Sequence, residues 1–243
     1  MSQISRIDKL LALTGIGRSE AKKLISSGRV AINGVVTRDS GAKSTPEALT
    51  LDGNPLFIET EVYLMIHKPA GVVTATEDKR FPTVVSLLPE KYQRRKIGPV
   101  GRLDRDVTGL VLLTTNGELA HRLISPKWKA EKTYRAVCEG RLTDADIAAF
   151  ASGMELSDFT AKPAKLEIIA ADDETSTADA TLTEGKFHQV KRMFAAVGHP
   201  LTKLHRTRIG CVTLDDSLAE GDFRPLTEAE IAGLKKLTDL DKE

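Results

Sequence analysis

The chain has 243 residues, 41% of them apolar and 28% charged, with a formal net charge of +1; these are the proportions of a soluble globular protein with room for one substantial core, or a medium core plus a small module. Its apolar stretches, such as "LVLL" and "LEIIAA", are far too short to span a bilayer, and "MSQISRIDKLLALTG" has no long apolar core followed by a cleavage site of the signal-peptide kind, so a membrane partner is not expected. Two cysteines, Cys138 and Cys211, form no CxxC pair and are too few for a disulfide framework, which predicts the reducing cytoplasm.

In chain order, residues 1–60 read as a compact module. In "ISRIDKLLAL", Ile4, Ile7, Leu10 and Leu11 share one helical stripe, with Arg6 and Lys9 off it. "RSEAKKLISSG" predicts a second helix with Ala21, Leu24 and Ile25 inward and Gly28 just past its end. "RVAINGVVTR" places two β-prone runs around Asn33-Gly34, a type I′ hairpin signal. The polar, turn-rich "DSGAKSTPEA" follows, then short strands in "LTLDGNPLFI" that close the module near residue 60.

The run "RIDKLLALTGIGRSEAKKLISSGRVAINGVV", with Arg6, Asp8, Lys9, Arg18, the "LI..GRV" segment and the Asn-Gly pair in place, resembles the S4 RNA-binding module. The resemblance implies that Arg6, Lys9, Arg18, Lys22, Lys23 and Arg29 face structured RNA. Taken singly, each of them is an ordinary solvated residue.

From "EVYLMIHKPAG" onward, residues 61–243 form the second expected domain. Strands are predicted over 62–67, 110–115, 132–139, 164–171, 178–183 and 201–206, and helices in "NGELAHRLI", "TDADIAAFASG", "GKFHQVKRMFAAVG" and "TEAEIAGLKKL". Without a Gly-rich βαβ fingerprint, the pattern predicts an α+β fold: a small α/β module followed by a mixed, mainly antiparallel domain. The near-neutral total hides an uneven distribution. Residues 88–135 hold 11 Lys/Arg against 5 Asp/Glu, and residues 186–208 hold 6 against none; the segments 136–185 and 209–243 are acidic. Folded together, the two basic segments make a surface suited to phosphates.

The generic catalytic signatures are absent: no HExxH, no zinc-finger spacing, no Walker A loop, no GxGxxG and no GxSxG, so neither a metal nor a nucleotide cofactor is expected. His188 and His199 read as packing or backbone-bonded residues. Asp104 lies between Arg102 and Arg105 at the head of a strand. Burying such a carboxylate is costly unless it is paired, so the cluster is a structural ion pair, an exposed rim or a working site. Asp104 and Asp106 also admit a glycosidase-like pair, although their separation in a turn is undetermined.

The succession "GRLDRDVTGLVLLT", "EKTY" and "GKFHQVKRMFAAVGH", with "HKPAGVVTA" before and "LHRTRIG" and "GDFRPLTEAEI" after, resembles the ribosomal RNA pseudouridine synthases that carry an N-terminal S4 module. The resemblance spans nearly the whole chain, and "FHQVKRMFAAVG" points to the small-subunit branch. It implies site-specific isomerisation of a uridine in 16S rRNA, of the position 516 type, without a cofactor. Asp104 corresponds to the catalytic aspartate and Lys191 to its basic partner. Arg102 helps hold the target nucleotide flipped out, and Tyr134 stacks on the uracil. Arg105 and Arg122 extend a phosphate-facing rim, and Asp106 is read as an exposed or structural carboxylate. Val107 departs from the hydroxyl residue usual at its position. The partner implied is 16S rRNA, free or within a partly assembled small subunit, bound by a monomer. The competing readings are the same chemistry on 23S rRNA and a non-catalytic S4-type assembly protein.

Overall fold

The computed structural model describes residues 4–242. The chain divides into two compact units, Met1–Val62 with Pro89–Lys96, and Tyr63–Leu88 with Ile97–Glu243.

In the first unit β1 (Ser5–Arg6) leads into α1 (Ile7–Ala12), followed by α2 (Arg18–Ser26), β2 (Val30–Ile32) and β3 (Val35–Val36). β4 (Lys43–Ser44) pairs back on β1, and β5 (Leu49–Leu51) and β6 (Asn54–Pro55) complete a four-stranded sheet of order β3-β2-β5-β6. Ile7, Leu10 and Leu11 of α1 bury against Ala21 and Ile25 of α2, with Val30, Leu49 and Ile58 beneath. Each such aliphatic side chain contributes roughly 1.5–3 kcal/mol on full burial. The stripe expected to start at Ile4 begins later. Pairing of Ser5–Arg6 with Lys43–Ser44 holds the chain extended there and leaves Ile4 66% exposed. α2 ends as its sequence predicts: Gly28 at φ +76° lets Gly28 N–H reach Ile25 O and Arg29 N–H reach Leu24 O, satisfying carbonyls the helix leaves open. Asn33 and Gly34 both take positive φ, as a type I′ turn requires. Further along the chain, the Arg95 guanidinium beyond α3 (Glu90–Gln93) donates to the carbonyls of Glu59 and Thr60.

The second unit is built on a nine-stranded sheet. Its strands are β7 (Tyr63–Lys68), β8 (Gly98–Pro99), β9 (Thr108–Thr114), β10 (Lys132–Glu139), β13 (Lys165–Ala171), β14 (Thr175–Leu182), β15 (Leu201–Ile209), β16 (Val212–Thr213) and β17 (Phe223–Pro225), with β11 (Met154–Glu155) and β12 (Thr160–Ala161) forming a separate pair. The main order is β13-β14-β10-β15-β9-β7-β17. Its one parallel junction is β9 with β15, through His205–Thr108 and Arg206–Gly109; the other strand pairings of the sheet are antiparallel, in line with the expected mixed, mainly antiparallel α+β domain.

The central strands are apolar on both faces because both are covered. On one face Leu110 and Leu112 of β9 and Met65 of β7 pack under Leu119 and Leu123 of α4 (Gly117–Ile124) and Leu234 of α7 (Glu228–Leu237). Elsewhere Phe150 of α5 (Asp144–Ser152) meets Phe194 of α6 (Gln189–Ala196) edge to face, ring centres 5.0 Å apart. α5 and α7 start on capping boxes, Thr143 with Asp146 and Thr227 with Glu230. α6 is shorter than its apolar pattern suggests: His188 takes a left-handed conformation, φ 50°, so the helix begins only at Gln189. No helix of the described residues is long and apolar enough to cross a membrane.

Candidate active site

Asp104 lies in the turn between β8 and β9. Val107 N–H donates back to Asp104 O at 3.2 Å, closing that turn. Three further residues fasten it. Thr74 Oγ1 donates to Leu103 O at 2.9 Å and accepts from Leu103 N–H at 3.1 Å. Gly71 N–H reaches Arg105 O at 2.8 Å. Lys68, fully buried at the end of β7, donates from Nζ to the carbonyls of Val107 (2.6 Å), Pro69 (2.9 Å) and Arg105 (3.2 Å). Burial pulls its ammonium down to about 8, opposed by the charges of Asp106 and Asp104. The "HKPAG" segment thus braces the loop that presents the carboxylate.

Across the cleft, the loop before α6 is pinned by the buried Gln189. Its Nε2 donates to Glu184 Oε1 at 2.7 Å and its Oε1 accepts from Lys186 N–H at 3.0 Å. That conformation carries His188 and Lys191, three residues apart, to the same carboxylate. Lys191 Nζ is 3.1 Å from Asp104 Oδ2, and His188 Nε2 is 3.4 Å from the same oxygen. Lys191 also donates to both oxygens of Asp106, at 2.9 and 2.8 Å. Burial lowers the Lys191 ammonium, but hydrogen bonds to Asp106 and then Asp104, with their charges, outweigh it and leave the group above its ordinary value. The hydrogen bond from Lys191 holds the Asp106 carboxyl below its ordinary range.

Tyr134 comes from β10 and Arg102 from the loop ahead of Asp104. Tyr134 is 8% exposed, with Arg206 Nη1 3.5 Å from its hydroxyl, while Arg102 is exposed. Arg102, Asp104, Tyr134 and Lys191, the four residues singled out for this domain, line one cleft. A second cleft of about 390 Å³ shares Arg102, Asp104 and Tyr134 and continues past His188 to Lys132 and Arg206. The arrangement is a carboxylate met by a lysine ammonium and an imidazole beside an aromatic face, opening onto exposed arginine.

Sequence reasoning missed some of this. His188, expected to pack or bond backbone, does stack on Phe187, ring centres 3.8 Å apart, but it also approaches Asp104, which the spacing did not suggest. Its left-handed backbone, which a spacing rule does not register, is what turns the ring into the cleft. His199 does bond backbone, with Nδ1 2.8 Å from Glu139 O. Asp106 is exposed, yet shares Lys191 with Asp104. Arg122, expected on the rim, instead pairs with Glu118 and donates to Thr238 O at 2.8 Å, tying α4 to the end of α7. Arg105 lies over the Phe81 ring at 4.3 Å. In the first unit Arg6 pairs with Asp8 and Arg29 with Asp52, whereas Lys9, Arg18, Lys22 and Lys23 present exposed side chains. Among the described residues no group of three or more His, Cys, Asp or Glu side chains is gathered to hold a metal ion.

Two family models match the chain: the RNA pseudouridylate synthase over residues 62–196, and the S4 domain over residues 5–48. The ribosomal small subunit pseudouridine synthase A of Salmonella typhimurium is 44% identical, covering 94% of this chain and 99% of that protein. The protein of the same name from Escherichia coli is 43% identical over the same shares. An uncharacterized RNA pseudouridine synthase of Aquifex aeolicus is 40% identical over 96% of this chain and 97% of its own length. Among solved structures, a crystal structure of a pseudouridylate synthase matches with a TM-score of 0.67 and 41% identity, covering 94% of this chain and 99% of that one.

Proposed function

The chain belongs to the RNA pseudouridylate synthase family and carries an S4 domain, and on that premise we propose that it isomerises one uridine of 16S ribosomal RNA to pseudouridine with Asp104 as the reacting carboxylate. The observation that carries the assignment of the site is the contact of Asp104 with Lys191 and His188 in a cleft that also holds Tyr134 and Arg102. The small-subunit substrate rests on what the relatives at 43–44% identity are named for.

The reaction detaches uracil from C1′ through N1 and rejoins it through C5; the proton lost from C5 is matched by one gained at N1, so atoms balance without a cofactor. To reach the carboxylate the uridine must leave its stack, at a cost of a few kcal/mol. Stacking on Tyr134 returns roughly 1–3 kcal/mol of that, and Arg102 at the rim is placed to hold the flipped nucleotide. Lys191 pairs with the carboxylate in a site that must exclude water, since water would attack C1′ and leave the base detached. Asp104 then takes up C1′, or removes a C2′ proton towards a glycal. Tyr134 is placed to take part in removing the C5 proton.

The module of residues 1–60 acts in this reading as the RNA grip, with Lys9, Arg18, Lys22 and Lys23 as phosphate contacts and Arg6 and Arg29 held by their carboxylate partners. Recognition of this kind draws on RNA shape and unstacked bases. The protein acts as a monomer in this reading. A ribosomal RNA substrate supports a cytoplasmic location in this reading, with free 16S rRNA or a partly assembled small subunit as the partner.

The test is tritium release from C5-labelled uridine in 16S rRNA, free and with early-binding ribosomal proteins, beside Asp104→Asn. Release by the wild type alone, mapped to one uridine, is the expected result. Release from 23S rRNA only would move the enzyme to the large subunit, and an Asp104→Asn variant as active as wild type would remove Asp104 from the chemistry.

A further inference from the structure

The floor of the larger cleft holds two cations that the steps above leave unused. Arg206 of β15 is 1% exposed and Lys132 of β10 is 8% exposed. Strand register brings them together: Arg206 stands opposite Tyr134 across β10 and β15, and Lys132, two residues before Tyr134, shares its face. Arg206 Nε donates to Leu110 O at 2.8 Å, but its buried Nη2 meets no acceptor among the described residues. Lys132 Nζ donates to Ala130 O at 2.9 Å and Leu123 O at 3.4 Å.

No ion pair with a carboxylate neutralises either of them among the described residues. Arg224 of the same domain, by contrast, has Asp215 and Glu230. Two buried like charges side by side repel and lose hydration, an arrangement that is costly until an anion joins them. Both line the cleft of about 390 Å³ that also holds Asp104 and Tyr134.

We propose that Lys132 and Arg206 form a cationic floor that receives the uracil ring and stabilises the negative charge it acquires when the C1′–N1 bond breaks. The inference rests on the reaction proposed above for this site. As that bond breaks, its electron pair leaves with N1, while C1′ is taken up by the Asp104 carboxylate or a C2′ proton passes to it. The ring is then an anion, with charge on N1, O2 and O4. C5 next bonds to C1′, releasing the carboxylate or returning the C2′ proton, and the C5 proton leaves as N1 gains one. Donors fixed where this transient charge appears lower the barrier without tightening the ground state. A phosphate is the other anion present, but it travels with the RNA backbone, and the exposed Arg102 and Lys186 suit it better than two buried residues deeper in the cleft.

The test compares full-length wild type, Lys132→Met, Lys132→Arg and Arg206→Lys in single-turnover reactions, with enzyme in saturating excess over 16S rRNA carrying either uridine or 5-fluorouridine at the target. It reads cleavage of the C1′–N1 bond, the step both substrates share, since 5-fluorouridine has no C5 proton to release. Thermal melting first checks that each variant is folded. Lys132→Met is expected to slow the uridine reaction by about 100-fold or more, with KM within about threefold of wild type and most of the rate restored in Lys132→Arg. Fluorine withdraws electrons and makes N1 the better leaving atom, so the loss in Lys132→Met should shrink at least about tenfold on 5-fluorouridine. A merely structural role would give equal losses on both substrates, and that result overturns the proposal. So does a loss confined to KM, which would mark a phosphate contact, or a folded Lys132→Met within about threefold of wild-type rate. A wild type that leaves the uridine substrate unchanged would overturn the underlying reaction, and the floor with it.

Discussion

Gly109→Ala should unseat β9 from β15 and with it the loop that carries Asp104. Gly109 has φ +107°, and a Cβ built there would lie 2.3 Å from Arg206 O and 2.6 Å from Arg206 N. Relieving that overlap requires β15 to retreat by roughly 1 Å to reach an ordinary contact distance. The parallel junction has only two bridged residue pairs. Such a shift would stretch both the Thr108 Oγ1 to His205 Nδ1 bond of 2.8 Å and the Arg206 Nε to Leu110 O bond of 2.8 Å past useful length. Backbone strain costs about 1–3 kcal/mol, and two weakened hydrogen bonds, one of them fully buried, add about 2–3 kcal/mol. The sum, roughly 3–6 kcal/mol, is a large part of the 5–15 kcal/mol typical of a folded domain. Urea unfolding of the full chain measures it. Gly117→Ala serves as control, since its Cβ would meet nothing within 4 Å. A Gly109→Ala loss under about 1 kcal/mol would refute the reasoning, because strain alone accounts for that much.

Thr74→Val removes a hydroxyl that satisfies both Leu103 N–H and Leu103 O; the orphaned buried groups should cost about 1–3 kcal/mol in urea unfolding, and tritium release should slow as the Asp104 loop loosens. Asp215 is held down to about 2, first by the Ser217 hydroxyl and amide and then by Arg224. A depressed carboxylate contributes stability above its unfolded value near 4 and loses it as pH falls towards 2. Asp215→Asn should therefore flatten the acid side of the stability curve between about pH 4 and 2, and an unchanged slope by urea titration at stepped pH would count against this. Lys22→Glu with Lys23→Glu should weaken RNA binding and lower the salt slope of log affinity by roughly 1.4–1.8, leaving the rate of the saturated complex unchanged; filter binding across salt concentrations, beside single-turnover rates, checks both parts.

Much of this molecule is written locally. The stripe Ile7, Leu10, Leu11, the Gly28 helix stop, the Asn33-Gly34 turn and the strand over residues 132–139 follow from nearest-neighbour sterics and period, and the structure reproduces them. The succession of motifs also singles out Asp104, Tyr134, Lys191 and Arg102, which the structure brings to one cleft, because their residue types and order survive in one dimension. What one dimension does not hold is which charges meet. Lys191 reaches the Asp106 carboxylate from 85 residues away, and Arg206 reaches Leu110 O from 96. Ile4 leaves its helical stripe because a strand some forty residues later claims the segment, and Arg122 leaves the rim because the end of α7 accepts its hydrogen bonds. His188 enters the site through one left-handed backbone angle. Sequence by itself determined most of the elements and the residues proposed here to react, since period and residue type are local properties; tertiary structure decided the partners of each charge and gathered Lys132 and Arg206 into one cleft, since Coulomb attraction and burial depend on distances that only packing sets.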